Sequence, residues 1–269
     1  MLLTAVALAP APVAPLGLGY ALILGIVEGV TEFLPVSSTA HLILAAAALR
    51  LPESEFLKSF EIIIQLGAIL AVVVLYWSKF WRPDVFAKLV VAFVPTGIIG
   101  LALYKLVKSY LLGNVDVVLV ALLVGGIALI AFERFSQAVD VEAEFSEITY
   151  RKAFLIGLFQ AIAIIPGVSR SAATIVGGSL IGISKRTIVE FSFLLAVPTM
   201  LAATGLELIK NHGAIASQVA PLAVGFVVSF VTAIAAIKSF LEFIKKRDFT
   251  AFGWYRIILA IAFFLVFVR

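Results

Sequence analysis

Glu28 and Glu32 stand four residues apart and are followed at once by Pro35, Ser37, Ser38, Thr39 and His41, in the stretch EGVTEFLPVSSTAH. On a helix that spacing puts both carboxylates on one face. Two like charges in a low-dielectric site either share a proton or recruit a cation, because each disfavours ionisation of the other. The hydroxyls after the proline suit a half-helix N-terminus, where side-chain oxygens and free N–H groups offer an anion site. His41 can serve as a general acid or base near neutral pH, or as a nucleophile. Plain capping by the hydroxyls and a structural hydrogen bond by the histidine are the simpler roles open to the same residues.

A second polar cluster, PGVSRSAAT at residues 166–174, sets Arg170 between Ser169 and Ser171 just after a Pro-Gly turn, with Thr174 one helical turn on. The planar guanidinium fork matches phosphate oxygens, and the hydroxyls add donors near a positive helix end. An arginine in so apolar a setting needs an anionic partner. That partner is either a phosphate or Glu28 or Glu32, in which case an internal ion pair locks the two clusters together.

The surrounding chain is membrane-like. Of its 269 residues 63% are hydrophobic and 13% charged, and the mean hydropathy is +1.17, well above soluble domains. The formal charge of +4 falls mostly between apolar runs, where it reads as topology signal beside anionic lipid rather than nucleic-acid binding. With no cysteine, any metal must bind oxygen or one of the two histidines, His41 and His212, and redox chemistry is disfavoured. The first seventeen residues lack a basic n-region and carry prolines, so a cleaved signal peptide fits them poorly.

Positioning follows from the apolar pattern, which predicts an all-α polytopic membrane protein. Six stretches reach the roughly twenty residues a spanning helix needs, at about 60–78, 89–107, 117–133, 188–209, 220–242 and 251–268. They are read as free of lysine and arginine except near their ends. Stretches 19–49 and 153–183 are instead broken at Leu34-Pro35 and Pro166-Gly167. Proline removes a backbone donor and restricts the residue before it, so each is expected to form two half-helices in a re-entrant hairpin. Such backbone survives at membrane depth only against protein or a wet cavity.

The order hairpin, span, span, span occurs twice, with Gly25 to Glu28 paralleling Gly157 to Gln160, Pro35 and Ser38 paralleling Pro166 and Ser169, and Glu61 paralleling Glu190. Three crossings per half make this an inverted-topology repeat. The expected organisation is an N-terminal segment 1–18, a first repeat 19–135, an acidic linker 136–150 and a second, inverted repeat 151–269. Lys79, Arg82, Lys88, Arg134, Arg151, Lys152, Lys185, Arg186 and Lys245 to Arg247 fall on one side of this layout. The positive-inside tendency makes that side cytoplasmic and leaves both termini and the first hairpin's mouth outside. Glu61 with Gln65, and Glu190 with Ser192, put polar groups near the starts of their spans, where support of the hairpins by hydrogen bonding and plain solvation at a helix end are both open.

Both motifs, with FEIIIQLGAILAVVV and EFSFLLAVP, resemble the undecaprenyl-pyrophosphate phosphatase family of the BacA type over nearly the whole chain. The resemblance implies hydrolysis of a C55 isoprenyl pyrophosphate to the monophosphate and inorganic phosphate, recycling the lipid carrier for wall polymers and conferring bacitracin resistance. It implies a divalent cation, Mg2+ or Ca2+, held at Glu28 and Glu32. It also implies a site open to the outer face of the bacterial cytoplasmic membrane. Within it Glu28, Glu32, Ser38, His41 and Arg170 carry the catalysis, while Ser37, Thr39, Ser169, Ser171 and Thr174 join Arg170 around phosphate. Ser38, His41 and water remain open as the attacking group, and a homodimer remains open as the assembly. A transporter or flippase for a lipid phosphate or other anion is the alternative, because broken helices meeting at the midplane are also a transporter layout.

Overall fold

The computed structural model describes residues 15–111, 114–135, 145, 148–216 and 218–269. Among these the chain is all helix and turn, with no strand. Residues 1–14 of the expected N-terminal segment, most of the acidic linker and the side chain of His212 lie outside the described residues.

Six helices are long and apolar enough to cross a bilayer. They are α3 (Glu55–Leu75), α5 (Pro83–Leu106), α6 (Val115–Phe135), α9 (Lys185–Ala216), α10 (Val219–Ile244) and α11 (Thr250–Phe263, continued by a wider turn to Val268). A single short turn, α4 (Trp77–Phe80), links α3 to α5. Four shorter helices complete the chain: α1 (Leu18–Thr31) and α2 (Ser38–Ala48), then α7 (Tyr150–Ala161) and α8 (Arg170–Leu180). At 1.5 Å per residue, the 14 residues of α1 and 11 of α2 reach about 21 and 16 Å. Neither alone crosses a hydrocarbon layer of about 30 Å.

Local sequence sets these limits. α3 begins five residues before the apolar run predicts, because Ser54 caps it by accepting the Leu57 N–H (3.0 Å) and Glu55 suits its positive end. Pro83 opens α5 at a position that needs no N–H donor. The first hairpin breaks over residues 32–37 around Pro35, and the second tightens through a 3-10 turn at Ile162–Ile164 before Pro166 and Gly167. Gly167 has φ +96 and lies against the Val118 backbone and the Ala121 methyl, a turn that only a residue without Cβ makes comfortably.

Packing sets one face of each short helix against the long ones. α1 lies along α10, α7 along α5, and α3 contacts both α9 and α10, while α6 pairs with α11. Small residues allow the closest approaches: a Cβ on Gly25 would meet the Gly225 carbonyl of α10, and one on Gly157 the Ala92 carbonyl of α5. Phe33, at the first break, sits edge-on to Phe193 of α9 at 5.2 Å between ring centres, inside the largest buried apolar cluster. Large side chains such as Ile98, Leu101, Val120, Ile209 and Ile258 remain exposed around the outside, as lipid requires.

The α5–α7 contact yields a stability test. Gly157→Val should cost about 1–3 kcal/mol through overpacking against backbone, read as a lower thermal midpoint in detergent. Gly205→Val, where an added Cβ meets nothing within 4 Å, should leave the midpoint near that of the parent. Equal midpoints for the two variants would contradict this packing.

Candidate active site

The end of α1 and the starts of α2 and α8 meet. Glu32 caps the C-terminus of α1, Ser37 the N-terminus of α2, and Ser169 that of α8. The two cap serines are built alike. Ser37 has φ 72 and ψ 94, Ser169 φ 76 and ψ 114, and each Oγ accepts the N–H three residues on, from Ala40 (3.4 Å) and Ala172 (3.2 Å). A left-handed φ on a residue with a Cβ is costly and concentrates at functional sites.

Between them is a cavity of about 70 Å³ lined by Glu32, Ser37, Ser38, Thr39, Ser169 and Arg170, with Pro166, Gly167 and Met200 at its edge. That is room for about two waters at ~30 Å³ each, the scale of one phosphate group. Two helix N-termini face it from opposite hairpins, so backbone dipoles from both favour an anion there.

The side chains form a connected line. Ser38 Oγ donates to Glu32 Oε2 at 2.5 Å, and Arg170 Nη2 donates to Glu32 Oε1 at 3.3 Å. Arg170 Nη1 donates to the Ser192 carbonyl on α9 (2.8 Å), which anchors the guanidinium from behind, while Nε has no partner among the described residues. A hydroxyl bonded to a carboxylate that is itself oriented by a cation is the arrangement of an activated nucleophile. The Glu32–Arg170 pair is almost fully buried and links two segments 138 residues apart.

Glu28, one helical turn before Glu32, is 0% exposed, and among the described residues neither carboxylate oxygen has a hydrogen-bond partner. A buried carboxylate in that condition is completed by a proton or a cation. Among the described residues no group of three or more histidine, cysteine or acidic side chains gathers. The donors present, Glu28 with Glu32, are hard oxygens suited to Mg2+ or Ca2+ that keeps part of its water shell.

Other expected residues stand further back. Ser171 Oγ donates to the Phe33 carbonyl (2.9 Å), tying α8 to the first break. Thr174 Oγ1 lies 2.6 Å from Ser192 Oγ and within reach of the Arg170 and Ser171 carbonyls at 3.0 Å. Neither lines the cavity; both brace the helix that carries Arg170. His41 is also absent from the lining: Nδ1 donates to the Ser37 carbonyl and Nε2 accepts from the Tyr255 hydroxyl, each at 2.7 Å. Ser192 supports Arg170, whereas Glu190 pairs with Lys79 and Arg186 at the other end of that turn. Glu61 lines a separate cavity with Ser54, Leu57 and Lys58.

Arg256 was not singled out from the sequence, where the spans were read as free of lysine and arginine except near their ends. It is 0% exposed within α11, and among the described residues its guanidinium donates to backbone carbonyls alone. An arginine six residues into an otherwise apolar span was the available signal. Gln160, the counterpart of Glu28, was seen only as a parallel; its Nε2 donates to Thr96 and Thr199 hydroxyls at 2.9 and 3.1 Å.

The buried pair predicts non-additive stability. Glu32→Gln leaves Arg170 unpaired and should cost about 3–5 kcal/mol, whereas Glu32→Gln with Arg170→Met should recover much of that loss. Thermal midpoints of the two detergent-purified variants check it, and a double variant less stable than the single would contradict it.

Comparison with known proteins agrees with this geometry. The family model described as bacitracin resistance protein BacA matches residues 21–262. A protein of Aquifex aeolicus named undecaprenyl-diphosphatase is 51% identical over 250 residues, covering 91% of this chain and 98% of that one. Proteins of the same name from Sulfurihydrogenibium and Campylobacter jejuni are 50% and 47% identical, each over more than nine-tenths of both chains. With polar half-helices meeting inside an apolar bundle and a family match across nearly all of its described residues, the chain belongs to the bacterial bacitracin resistance protein BacA family of multi-span membrane proteins.

Proposed function

We propose that this protein is an undecaprenyl-diphosphatase, hydrolysing a C55 isoprenyl pyrophosphate to the monophosphate and inorganic phosphate and so returning the lipid carrier to wall-polymer synthesis. The observation that carries the reading is the line Ser38–Glu32–Arg170 at a phosphate-sized cavity.

The prenyl tail stays among the exposed apolar helices while the pyrophosphate enters between the hairpins. Ser38 Oγ attacks the terminal phosphorus, the bond from that phosphorus to the bridging oxygen breaks, and the Ser38 proton passes to Glu32 Oε2. The lipid monophosphate departs. Water then attacks the phosphoserine, inorganic phosphate leaves, and Ser38 regains its proton from Glu32. Arg170, in the cavity wall, and the N-termini of α2 and α8 meet the charge on the equatorial oxygens, where phosphoryl transfer gains most. Glu28 and Glu32 are the residues that would hold a divalent cation, which would supply charge neutralisation to the pyrophosphate. Ser37, Thr39 and Ser169 position oxygens, and every group comes from one copy of the chain. The positive-inside bias of the basic loops supports a mouth open to the outer face of the cytoplasmic membrane.

The helix packing supports an inverted repeat with re-entrant hairpins. Exchanging the halves maps α1 on α10 onto α7 on α5, α3 on α10 onto α9 on α5, and leaves α3 on α9 and α6 on α11 unchanged. This layout also favours a second reading, movement of a lipid phosphate between leaflets.

Phosphate release from C55 pyrophosphate by the purified protein decides between them. The expected result is metal-dependent release abolished by chelator, lowered about 10³-fold or more by Ser38→Ala and Arg170→Ala, with acid-stable label on Ser38 from terminally labelled substrate. Undiminished release by Ser38→Ala would make water the nucleophile, and no release under any metal condition would leave the transporter.

A further inference from the structure

Two adjacent residues of α11, Tyr255 and Arg256, touch both hairpin breaks from outside the cavity. Arg256 Nη1 donates to the carbonyls of Pro35 (3.3 Å) and Val168 (3.1 Å), and Nη2 to those of Gly167 (2.8 Å) and Ala121 (3.1 Å). One guanidinium therefore grips the first break, the second break and α6 together. Space for it depends on Gly125, where any Cβ would collide with the fork. No carboxylate pairs with it among the described residues, so its charge is met only by carbonyl dipoles beside an anion site.

Tyr255 reaches the first hairpin by another route. Its hydroxyl donates to His41 Nε2, its ring stacks on the imidazole at 5.5 Å, and His41 Nδ1 donates to the Ser37 carbonyl. Ser37 and Ser169 are the two cap serines with left-handed φ. Each is thus held through neighbouring carbonyls: Ser37 by its own and that of Pro35, Ser169 by those of Gly167 and Val168. All peptide bonds described are trans, so a Val168 carbonyl aimed at Arg256 sends the Ser169 N–H to the opposite side. Strained conformations persist only where surroundings over-determine them, and these four carbonyl contacts do so.

The geometry points to Tyr255 and Arg256 as positioning residues of the reaction, a clamp that fixes the two cap serines and the half-helix starts around the phosphoryl group. His41 belongs to the same clamp as the link between Tyr255 and Ser37. The inference rests on the phosphatase reading, because it assigns what the held turns are held for. A misplacement of about 1 Å at reacting groups costs about 10²-fold in rate, and a compact lysine ammonium cannot span both turns as the fork does.

The test uses the full chain in detergent with three variants, Tyr255→Phe, Arg256→Lys and Arg256→Met. Turnover of C55 pyrophosphate, thermal midpoint, and the midpoint shift on adding inorganic pyrophosphate are measured for each. The expected result for Tyr255→Phe and Arg256→Lys is a kcat lowered about tenfold to a hundredfold with KM within about threefold. Arg256→Met should lose more, with a smaller pyrophosphate shift than the parent shows. Parental kcat in Tyr255→Phe and Arg256→Lys overturns the proposal, as does a loss confined to KM. Arg256 variants that fail to fold beside a fully active Tyr255→Phe also overturn it, leaving the arginine a structural residue. If the parent releases no phosphate, the phosphatase reading fails on its own account. The pyrophosphate shift then decides the clamp, which stands if Tyr255→Phe and Arg256→Lys lose the shift at parental midpoint and falls if they keep it.

Discussion

A chain that breaks its helices inside an apolar layer must find partners for every carbonyl and N–H the breaks release, since the surrounding solvent offers none. Much of the polar chemistry of this protein follows from that requirement. Cap hydroxyls take the first N–H groups of α2 and α8, Ser171 reaches back to the Phe33 carbonyl, and the Arg256 fork collects four more carbonyls. Once the breaks are satisfied, their remaining donors and the side chains they carry converge on one small space. Structural necessity and anion recognition are met by the same backbone, and for that reason the site cannot be moved without rebuilding the fold.

The Glu32–Arg170 pair shows how closely the two demands are joined. Buried ion pairs are weak stabilisers on average, because desolvation offsets their attraction. Here the pair registers one hairpin against the other, and it also sets Arg170 and Ser38 in the wall of the same cavity. Its value lies in specifying an arrangement rather than in strength.

Much of this could be read without coordinates. The six spans were legible because runs of about twenty apolar residues have few alternatives, and the breaks because Pro35 and Pro166 interrupt otherwise continuous stretches. Glu32, Ser38 and Arg170 were legible as polar groups with no reason to be in lipid. Less legible was which way neighbours face: Ser171 and Thr174 flank Arg170 in sequence yet turn toward Phe33 and Ser192, a consequence of how α8 meets α1 and α9. His41 looked like an acid or base by composition, and only the positions of Tyr255 and the Ser37 carbonyl give it a structural occupation. Arg256 was hidden because its partners are carbonyls, which every residue has, gathered from positions as distant as Pro35.

The cavity between the hairpins has room for about one phosphate group and none for a prenyl chain, and the helices around it present apolar side chains outward. A C55 tail would therefore remain dissolved in the leaflet throughout a turnover. The concentration that governs such an enzyme is a mole fraction in two dimensions, so diluting the membrane with inert lipid slows it while diluting the aqueous suspension does not. Lateral density of the carrier, rather than its total amount in the cell, becomes the quantity to which the protein responds.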